Sequence, residues 1–235
     1  MKKCLIIGVL VIFLSGCSLF EESSQMNKSA QQLAAEGAAA FMNEDYEEAV
    51  KAYTDLKDWY PFSKYAILAE LKTADAHFKL EEYDEAIVAY EGFEKMHPRN
   101  EAVPYVINQT GLCWFNQMDT VDRDPGPAKN AVAQFQRLVQ QFPKNELTQK
   151  AQGYIEDCLD NIAGHELYVA DYYFKTKKYK AAMKRYEYIV EYFPGTQQSE
   201  ISLDKIPKVL AKIPQEPENI QAPEEKQEIE EAEKE

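Results

Sequence analysis

This sequence predicts an all-α fold built from stacked helical hairpins, on three observations. Glycine is scarce, with nine among 235 residues, and long stretches are rich in Ala, Glu, Lys and Gln, which favour helices. A set of small, aromatic and apolar residues recurs four times at helical spacing. A proline follows each copy at a constant distance, and proline ends a helix because it has no backbone N–H to donate.

The recurring set has a fixed order. A small residue precedes an aromatic residue by four positions. Further along comes an alanine. An aromatic residue follows this alanine at four positions, a large apolar residue at seven, and the proline at twelve. The four copies are Gly37, Phe41, Ala49, Tyr53, Leu56 and Pro61; Ala74, Phe78, Ala86, Tyr90, Phe93 and Pro98; Gly111, Phe115, Ala131, Phe135, Leu138 and Pro143; and Ala170, Phe174, Ala182, Tyr186, Ile189 and Pro194. In all copies but the third, a tyrosine lies five positions after the first aromatic residue: Tyr46, Tyr83 and Tyr179.

Each copy is interpreted as one hairpin of two helices. The small residues let the two helices approach closely, and the aromatic residues are expected to fill the space between neighbouring hairpins. Because one hairpin cannot bury its apolar face alone, neighbours must stack, as in the tetratricopeptide class with its period of about 34 residues. The predicted architecture is a superhelix of about four full repeats plus one terminal helix.

Three segments depart from the regular repeat. The third hairpin carries an eight-residue insertion within residues 116–130, a segment rich in Asp, Pro and Gly that predicts a surface loop between its two helices. Residues 144–176 contain no proline and predict one long helix, with a break near Gly164 as the alternative. Residues 196–212 predict a last helix that Pro207 interrupts.

The N-terminus is typical of a bacterial lipoprotein. Residues 1–16 combine two lysines with an apolar run that is too short for the roughly 20 residues that cross a bilayer, so they predict a signal peptide. The motif Leu-Ser-Gly-Cys at 14–17 matches the lipobox, which predicts S-diacylglycerol and an N-acyl chain on Cys17. An ordinary signal peptide is the alternative. Residue 18 is Ser and not Asp, which by analogy with known lipoproteins favours the periplasmic face of the outer membrane, and residues 17–28 then serve as the lipidated cysteine and its tether.

Charge is uneven along the chain. The net charge of −14 argues against nucleic acid as the main partner, because phosphate binding requires clustered Lys and Arg. Residues 214–235 alone hold nine Glu and two Lys, with three prolines and few large apolar residues. They predict a disordered acidic tail that ends the chain in solvent.

The pattern of reactive residues favours a binding scaffold over an enzyme. The histidines have no partners at the spacing of a catalytic or metal site, and no nucleophile-elbow, zinc-protease or phosphate-loop motif occurs, so neither a catalytic residue, nor a metal, nor any cofactor besides the lipid is expected. Cys113 and Cys158 remain after processing. A disulfide between them is one alternative, and two buried thiols are the one that we favour.

Four short segments carry a resemblance to the BamD family, whose members are outer membrane protein assembly lipoproteins. They are Tyr-Pro-Phe-Ser-Lys-Tyr at 60–65, Asp-Arg-Asp-Pro at 122–125, Phe-Pro-Lys-Asn at 142–145 and Ala-Asp-Tyr-Tyr at 170–173. The resemblance implies a subunit of the machinery that folds and inserts β-barrel proteins into the outer membrane. The implied partners are the POTRA-bearing barrel subunit, other lipoproteins of the machinery and the C-terminal strand of unfolded outer-membrane proteins.

The resemblance also implies that two parts of the chain bind different polypeptides. Residues 29–120 would form the substrate side, where Tyr60, Phe62 and Tyr65 are expected to receive the aromatic end of a targeting strand. The alternative for these three side chains is packing between helices. Residues 121–213 would form the partner-docking side.

Two places on the partner-docking side are implied as contacts. One is the insertion motif formed by Asp122, Arg123 and Asp124. The other is Arg185, which matches in position a family arginine that pairs with a carboxylate of the POTRA-bearing subunit; on the sequence alone it is a solvated side chain. The competing interpretation of the whole chain is another periplasmic repeat lipoprotein, an adaptor that recruits cell-wall enzymes and lacks the insertion motif.

Overall fold

The structure, a computed structural model, describes residues 28–213. The predicted signal peptide, Cys17 with its lipid, nearly all of the tether and the acidic tail lie outside these residues. Within them the chain forms nine helices and no strand, which confirms the all-α prediction. The helices are α1 (Ala30–Met42), α2 (Tyr46–Trp59), α3 (Ala66–Lys79), α4 (Tyr83–Met96), α5 (Val103–Asn116), α6 (Gly126–Gln141), α7 (Leu147–Lys175), α8 (Tyr179–Tyr192) and α9 (Gln197–Leu210).

The chain divides after Asn161 into two compact units. In the first unit, each helix from α1 to α6 contacts the next one, so that α1/α2, α3/α4 and α5/α6 are three hairpins stacked in chain order. In the second unit, the end of α7 and α8 form the fourth hairpin, and α9 packs on α8 as the terminal helix. The predicted four repeats and terminal helix are thus confirmed.

Two glycines explain how closely the helices of a hairpin approach. A Cβ atom placed on Gly37 would lie 2.7 Å from the ring of Tyr53, and one placed on Gly111 would lie 2.7 Å from the ring of Phe135. Both rings are buried, so neither can move aside without disturbing the core. The small residue at this position is therefore required by the aromatic residue of the second helix.

In three copies the first aromatic residue closes the turn within its own hairpin, and in the first copy it also meets the next hairpin, where Lys72 Nζ of α3 lies 5.2 Å from the centre of the Phe41 ring. In all three, the ring of this residue meets the tyrosine that starts the next helix edge to face, with centroids 5.2–5.7 Å apart. The pairs are Phe41 with Tyr46, Phe78 with Tyr83, and Phe174 with Tyr179. In the third copy the insertion displaces the partner, and Phe115 instead packs on Tyr154 of α7 at 4.9 Å.

The same turns contain a backbone feature that the sequence does not predict. Glu44, Glu81 and Lys177, each two positions before the tyrosine, have φ angles of 61–64°. Residues with a Cβ atom adopt this left-handed conformation at a cost of roughly 1–2 kcal/mol. The hairpin turn therefore imposes the same local strain in three repeats.

Each proline ends a helix, as predicted, and it also starts a turn that leads into the next helix. The helices α2, α4, α6 and α8 end two residues before Pro61, Pro98, Pro143 and Pro194. The residue two positions after each proline is polar, and its backbone N–H donates to the carbonyl of the residue before the proline at 2.9–3.3 Å. Its side chain then accepts a backbone N–H of the following segment. These residues are Ser63, Asn100, Asn145 and Thr196.

The three irregular segments differ in how well they were predicted. Helix α7 runs for 29 residues through Gly164, so the long helix is confirmed and the alternative of a break is wrong. The loop of the third hairpin is shorter than predicted, because residues 126–130 already belong to α6, whose first turn accommodates Pro127. The predicted interruption at Pro207 is also wrong, because α9 continues through this residue. The carbonyl that loses its donor there belongs to Leu203, which is 55% exposed and so accessible to water.

Candidate functional site

The first unit contains an open groove of about 580 Å³ between α2, α3 and α4. All three helices contribute side chains to its lining. From α2 these are Thr54 and Lys57; from α3, Glu70, Thr73 and His77; and from α4, Asp84, Glu85, Val88, Ala89, Gly92, Phe93 and Met96. The groove is therefore formed by the second helix of one hairpin and both helices of the next.

An apolar row on α4 is the main feature of this groove. Val88, Gly92 and Met96 follow one another at intervals of four residues, so they lie on one face of the helix. Val88 is 71% exposed and Met96 is 60% exposed, although both are apolar. A Cβ atom on Gly92 would meet no atom within 4 Å, so this glycine, unlike Gly37, leaves open space. The row therefore offers apolar contact and room for a polypeptide backbone.

Charged and polar side chains surround the apolar row. Lys57 contributes a positive charge on α2, and Asp84 and Glu85 contribute negative charges at the start of α4. The hydroxyl of Thr73 is already satisfied, because it donates to the carbonyl of Ala69 at 2.9 Å. The groove thus combines an apolar centre with an ionic rim, which suits an extended peptide with alternating side chains.

His77, which lines the groove, and His97, which does not, each pair with a single carboxylate. His97 Nε2 lies 2.7 Å from Glu70 Oε2, and His77 Nδ1 lies 2.7 Å from Glu82 Oε2. Within residues 28–213, no group of three or more His, Cys, Asp or Glu side chains is arranged to hold a metal ion.

The predicted peptide contacts lie outside the groove, in the loop between α2 and α3. Tyr60 donates its hydroxyl to the carbonyl of Lys28 at 2.7 Å. Tyr65 packs against buried side chains of the first two hairpins, including Leu33 and Tyr53, and Lys64 lies over its ring. Phe62 is fully exposed. The structure therefore holds Tyr60 and Tyr65 in packing contacts and leaves Phe62 available for a partner.

The predicted contacts of the insertion lie together on an exposed loop. Asp122 accepts the hydroxyl of Thr120 at 2.6 Å, and this hydrogen bond lowers the pKa of Asp122. Asp124 accepts the backbone N–H of Gly126 at 3.1 Å, at the start of α6. Arg123 is exposed beside them. Asn161 donates its side-chain amide to the carbonyl of Asp119 at 2.9 Å and so holds the loop against α7.

Arg185 is more constrained than the solvated side chain that the sequence alone predicts. It lies on α8 and forms an ion pair with Glu166 of α7, within the second unit. The Glu166 side chain is only 8% exposed, whereas that of Arg185 is 42% exposed. The pair thus neutralises a buried carboxylate and leaves part of the guanidinium accessible.

Two aspartates, the buried Asp75 and the partly exposed Asp171, form hydrogen-bond networks that were not predicted from the sequence. Asp75 accepts hydrogen bonds from the hydroxyls of Tyr90 and Tyr105 at 2.8 and 2.9 Å, and its other oxygen lies 2.8 Å from Lys72 Nζ. In the fourth hairpin, Asp171 accepts from Tyr186 at 2.6 Å and from Lys205 at 2.5 Å. Burial, and then the neighbouring Asp75, raise the pKa of Tyr90 and Tyr105.

A signal for these networks is present in the sequence. An aspartate follows the small residue only in the second and fourth copies, and a tyrosine stands 15 positions after it in both. In the third copy Leu112 and Phe135 stand at these two positions, whereas the first copy keeps Tyr53 although Ala38 takes the place of the aspartate. The aspartates therefore bind the two helices of a hairpin and do not form a reactive site.

Cys113 and Cys158 are free thiols and both are buried, in line with the alternative that we favoured. Burial raises the pKa of each thiol to about 12. Neither cysteine lines the groove. They belong to the core of the first unit.

The chain is similar to known proteins over most of its length. A family model described as an outer membrane lipoprotein, YfiO, matches residues 26–216. The outer membrane protein assembly factor BamD of Neisseria meningitidis serogroup A is 32% identical over 218 residues, which cover 86% of this chain and 82% of that protein. BamD of Vibrio cholerae is 26% identical over 215 residues, covering 87% of this chain and 89% of that protein.

A tetratricopeptide-repeat protein of Thermus thermophilus aligns with 78% of this chain and 100% of its own, at 14% identity and a TM-score of 0.42. Among the described helices, none combines the length and the apolar character that a membrane crossing requires.

Proposed function

The chain belongs to the BamD family of outer membrane lipoproteins and takes part in outer membrane protein assembly, and we propose that it does so as a scaffold that binds two other polypeptides. The first is the C-terminal strand of an incoming β-barrel protein, and the second is the POTRA-bearing barrel subunit. Lipid chains on Cys17 anchor this scaffold to the periplasmic face of the outer membrane. No step of this role requires a catalytic residue, a metal or a further cofactor.

The observation that carries the strand-binding part is the exposed apolar row Val88–Gly92–Met96 in the groove of the first unit. An extended strand presents alternate side chains to one face, at about 6.6 Å for each second residue. Positions four apart on a helix are separated by about 6 Å along its axis. The alternate side chains on one face of a strand therefore match the steps from Val88 to Gly92 and from Gly92 to Met96.

The fully exposed Phe62 supplies a second contact in the proposal. It belongs to the same first two hairpins but does not line the groove. An aromatic side chain at the end of a targeting strand would pack against its ring, a contact of about 0.5–1.5 kcal/mol beyond the area that it buries. Tyr60 and Tyr65 would then position the loop that carries Phe62, through the contacts described above.

Site-specific photo-crosslinking in cells tests this proposal. A photoreactive amino acid at position 88 is expected to capture unfolded β-barrel proteins, because Val88 projects into the proposed strand site. Position 62 is expected to capture the same proteins. Met42, which is 83% exposed but outside the groove, is the matched control and is expected to capture none.

A second variant separates binding from folding. Val88→Glu places a charge in the apolar row without burying it, so the melting temperature is expected to stay unchanged while capture from position 62 falls. Capture that is equal at positions 42, 62 and 88, or that persists in full in Val88→Glu, would contradict the groove as the strand site.

A further inference from the structure

The first unit contains a second place with the same plan as the groove, formed by α4, α5 and α6. These helices pack against one another in chain order, as α2, α3 and α4 do at the groove. Thr73, which lines the groove, corresponds to Thr110, and each hydroxyl donates to the backbone carbonyl four residues earlier, at 2.9 and 3.0 Å. Phe93 corresponds to Leu138, and both side chains are buried. We call the part of the three helices around Thr110 and Leu138 the α6 site.

The apolar row of α4 is not repeated on α6. At the positions of the row, counted from the alanine of each copy, α6 carries Ala133, Arg137 and Gln141. On the helix opposite, Glu94 of α4 takes the position that Lys57 of α2 has at the groove. The α6 site therefore lacks the two large apolar side chains of the row, and an arginine stands where a glycine leaves room in the groove.

An ion pair crosses the α6 site from one helix to the other. Arg137 Nη2 of α6 donates to Glu94 Oε2 of α4 at 2.6 Å. The two side chains are only 35% and 24% exposed, so the pair is partly withdrawn from water. At the groove the corresponding position is Gly92, where a Cβ atom would meet nothing within 4 Å. The ion pair therefore occupies, in the α6 site, the kind of space that stays open in the groove.

The polar contacts of the α6 site are incomplete. Arg137 Nε and Gln134 Oε1 are buried and have no hydrogen-bond partner among residues 28–213. Gln134 stands at the position of Ala89, which lines the groove. A buried polar atom without a partner costs free energy, so these side chains are not the most stable filling for the site. Such a filling is typical of side chains that exclude a competing ligand at some cost in stability.

We propose that Arg137 and Glu94 are specificity-determining residues, whose ion pair excludes extended strands from the α6 site and confines them to the groove. The inference rests on the strand-binding function proposed above. Two open grooves built on one plan would share the bound strands about equally, because both would offer the same contacts. A strand that enters the α6 site has to break the ion pair and leave a partly buried carboxylate alone. The closed site thus gives an incoming strand a single position on the first unit.

Photo-crosslinking of the purified chain tests this inference. The probe is a short fluorescent peptide in which phenylalanine alternates with threonine and lysine and which ends in phenylalanine. A photoreactive amino acid replaces Val88 in the groove or the corresponding, likewise exposed Ala133 in the α6 site. In the otherwise native chain, capture at position 88 is expected to exceed capture at position 133 by at least about tenfold, because only the α6 site is closed by an ion pair.

Two double variants open the α6 site. Arg137→Gly with Glu94→Lys gives the site the residues that the groove has at the same positions. It is expected to raise capture at position 133 at least about fivefold, because the strand no longer has to break an ion pair. Arg137→Ala with Glu94→Gln is expected to act in the same direction, and it keeps a good helix former at position 137 in case glycine unfolds α6. Circular dichroism checks that both variants are folded.

The reverse exchange closes the groove. Gly92→Arg with Lys57→Glu copies the ion pair into it and is expected to lower capture at position 88 about tenfold. The matched control is Gly153→Arg with Lys150→Glu on α7, where a Cβ atom at position 153 also meets nothing within 4 Å. This control makes the same two replacements outside both sites and is expected to leave capture at both positions unchanged.

The outcomes distinguish this inference from the strand-binding proposal. Capture at position 88 of the native chain, with no gain at position 133 in either opened variant, would overturn the inference and leave strand binding in the groove standing. Equal capture at the two positions of the native chain would overturn it as well. Absence of capture at position 88, or capture there that the closed groove lowers no more than the control does, would contradict the strand-binding proposal and the inference that rests on it.

Discussion

At two positions of this protein the neighbouring side chains leave no room for a Cβ atom. Gly37 and Gly111 lie where a Cβ would enter the ring of Tyr53 or Phe135, and both rings are buried. At Gly153 on α7, a Cβ would meet nothing within 4 Å. The same residue type is therefore required by packing at two positions and not at the third.

Alanine substitution should separate these cases. Gly37→Ala or Gly111→Ala is expected to lower the free energy of unfolding by about 1–3 kcal/mol, because the added methyl group overpacks a closed interface. Gly153→Ala is expected to raise it by up to about 1 kcal/mol, since alanine is the better helix former. Urea denaturation followed by circular dichroism measures all three. Equal effects at positions 37, 111 and 153 would contradict the packing explanation.

Residue identity predicted the packing role of the small and aromatic positions but not the polar networks. The spacing of Gly37 and Tyr53 is visible as periodicity. The contact of Asp75 with Tyr90 leaves only a partial signal when the copies are compared with each other, because the first copy keeps Tyr53 without an aspartate. Comparison of the copies does not predict which side chains are exposed. An apolar residue such as Val88 gives the same sequence pattern whether it is buried in the core or lines a groove.

The hairpin turn is the element that repeats most faithfully. Glu44, Glu81 and Lys177 adopt a left-handed backbone conformation at the same position, although none of them is glycine. An aromatic pair then closes the turn behind them. The turn geometry is thus set by packing of the two helices and is not chosen by the residue at its tip.

Glycine at this position is expected to stabilise the protein. Glu44→Gly removes a left-handed strain of roughly 1–2 kcal/mol and adds an entropy cost of roughly 0.5–1 kcal/mol, so a net gain of up to about 1 kcal/mol should result. Asn43→Gly is the control, because Asn43 has a φ angle of −86° and gains nothing from glycine. It is expected to destabilise the protein. Thermal unfolding of both variants measures the difference, and a loss in Glu44→Gly as large as that in Asn43→Gly would show that the turn is unstrained.

Helix ends were predictable to different degrees. The prolines mark the ends of α2, α4, α6 and α8 because proline removes a donor whatever surrounds it. The early start of α6 and the continuity of α9 through Pro207 were not predicted. Proline is tolerated in the first turn of a helix and at a position whose unpaired carbonyl faces water, and both conditions depend on tertiary surroundings.

At the scale of the whole molecule, repetition predicted the number of hairpins but not where partners bind. The groove in the first unit and the cavity at the turn between α7 and α8 are built from helices and turns of one repeated plan, yet different residues line them. The repeat pattern is set by the interior, which every copy shares. Binding surfaces are set by the variable residues between those positions, for which one sequence offers no pattern.

Assembly with the POTRA-bearing subunit should depend on the exposed part of Arg185. Arg185→Gln together with Glu166→Gln removes both charges without leaving a buried carboxylate alone. The double variant is expected to fold but to lose co-purification with that subunit, since truncation of a central interface arginine costs about 2 kcal/mol, or roughly thirtyfold in affinity. Glu166→Gln alone keeps Arg185 and is expected to co-purify normally. Undiminished recovery of the double variant would remove Arg185 from the interface.

The two buried thiols require that folding precede exposure to an oxidant. Once the helices have packed, Cys113 and Cys158 meet no solvent and their raised pKa keeps them protonated, so an oxidant finds no thiolate to attack. Before packing, both sulfurs are open to any oxidant in the compartment that the chain enters. An adduct gained at that stage would occupy volume that the closed interior does not contain. Folding must therefore bury the two thiols before they are oxidised. Once they are buried, the packed core protects them from later oxidation.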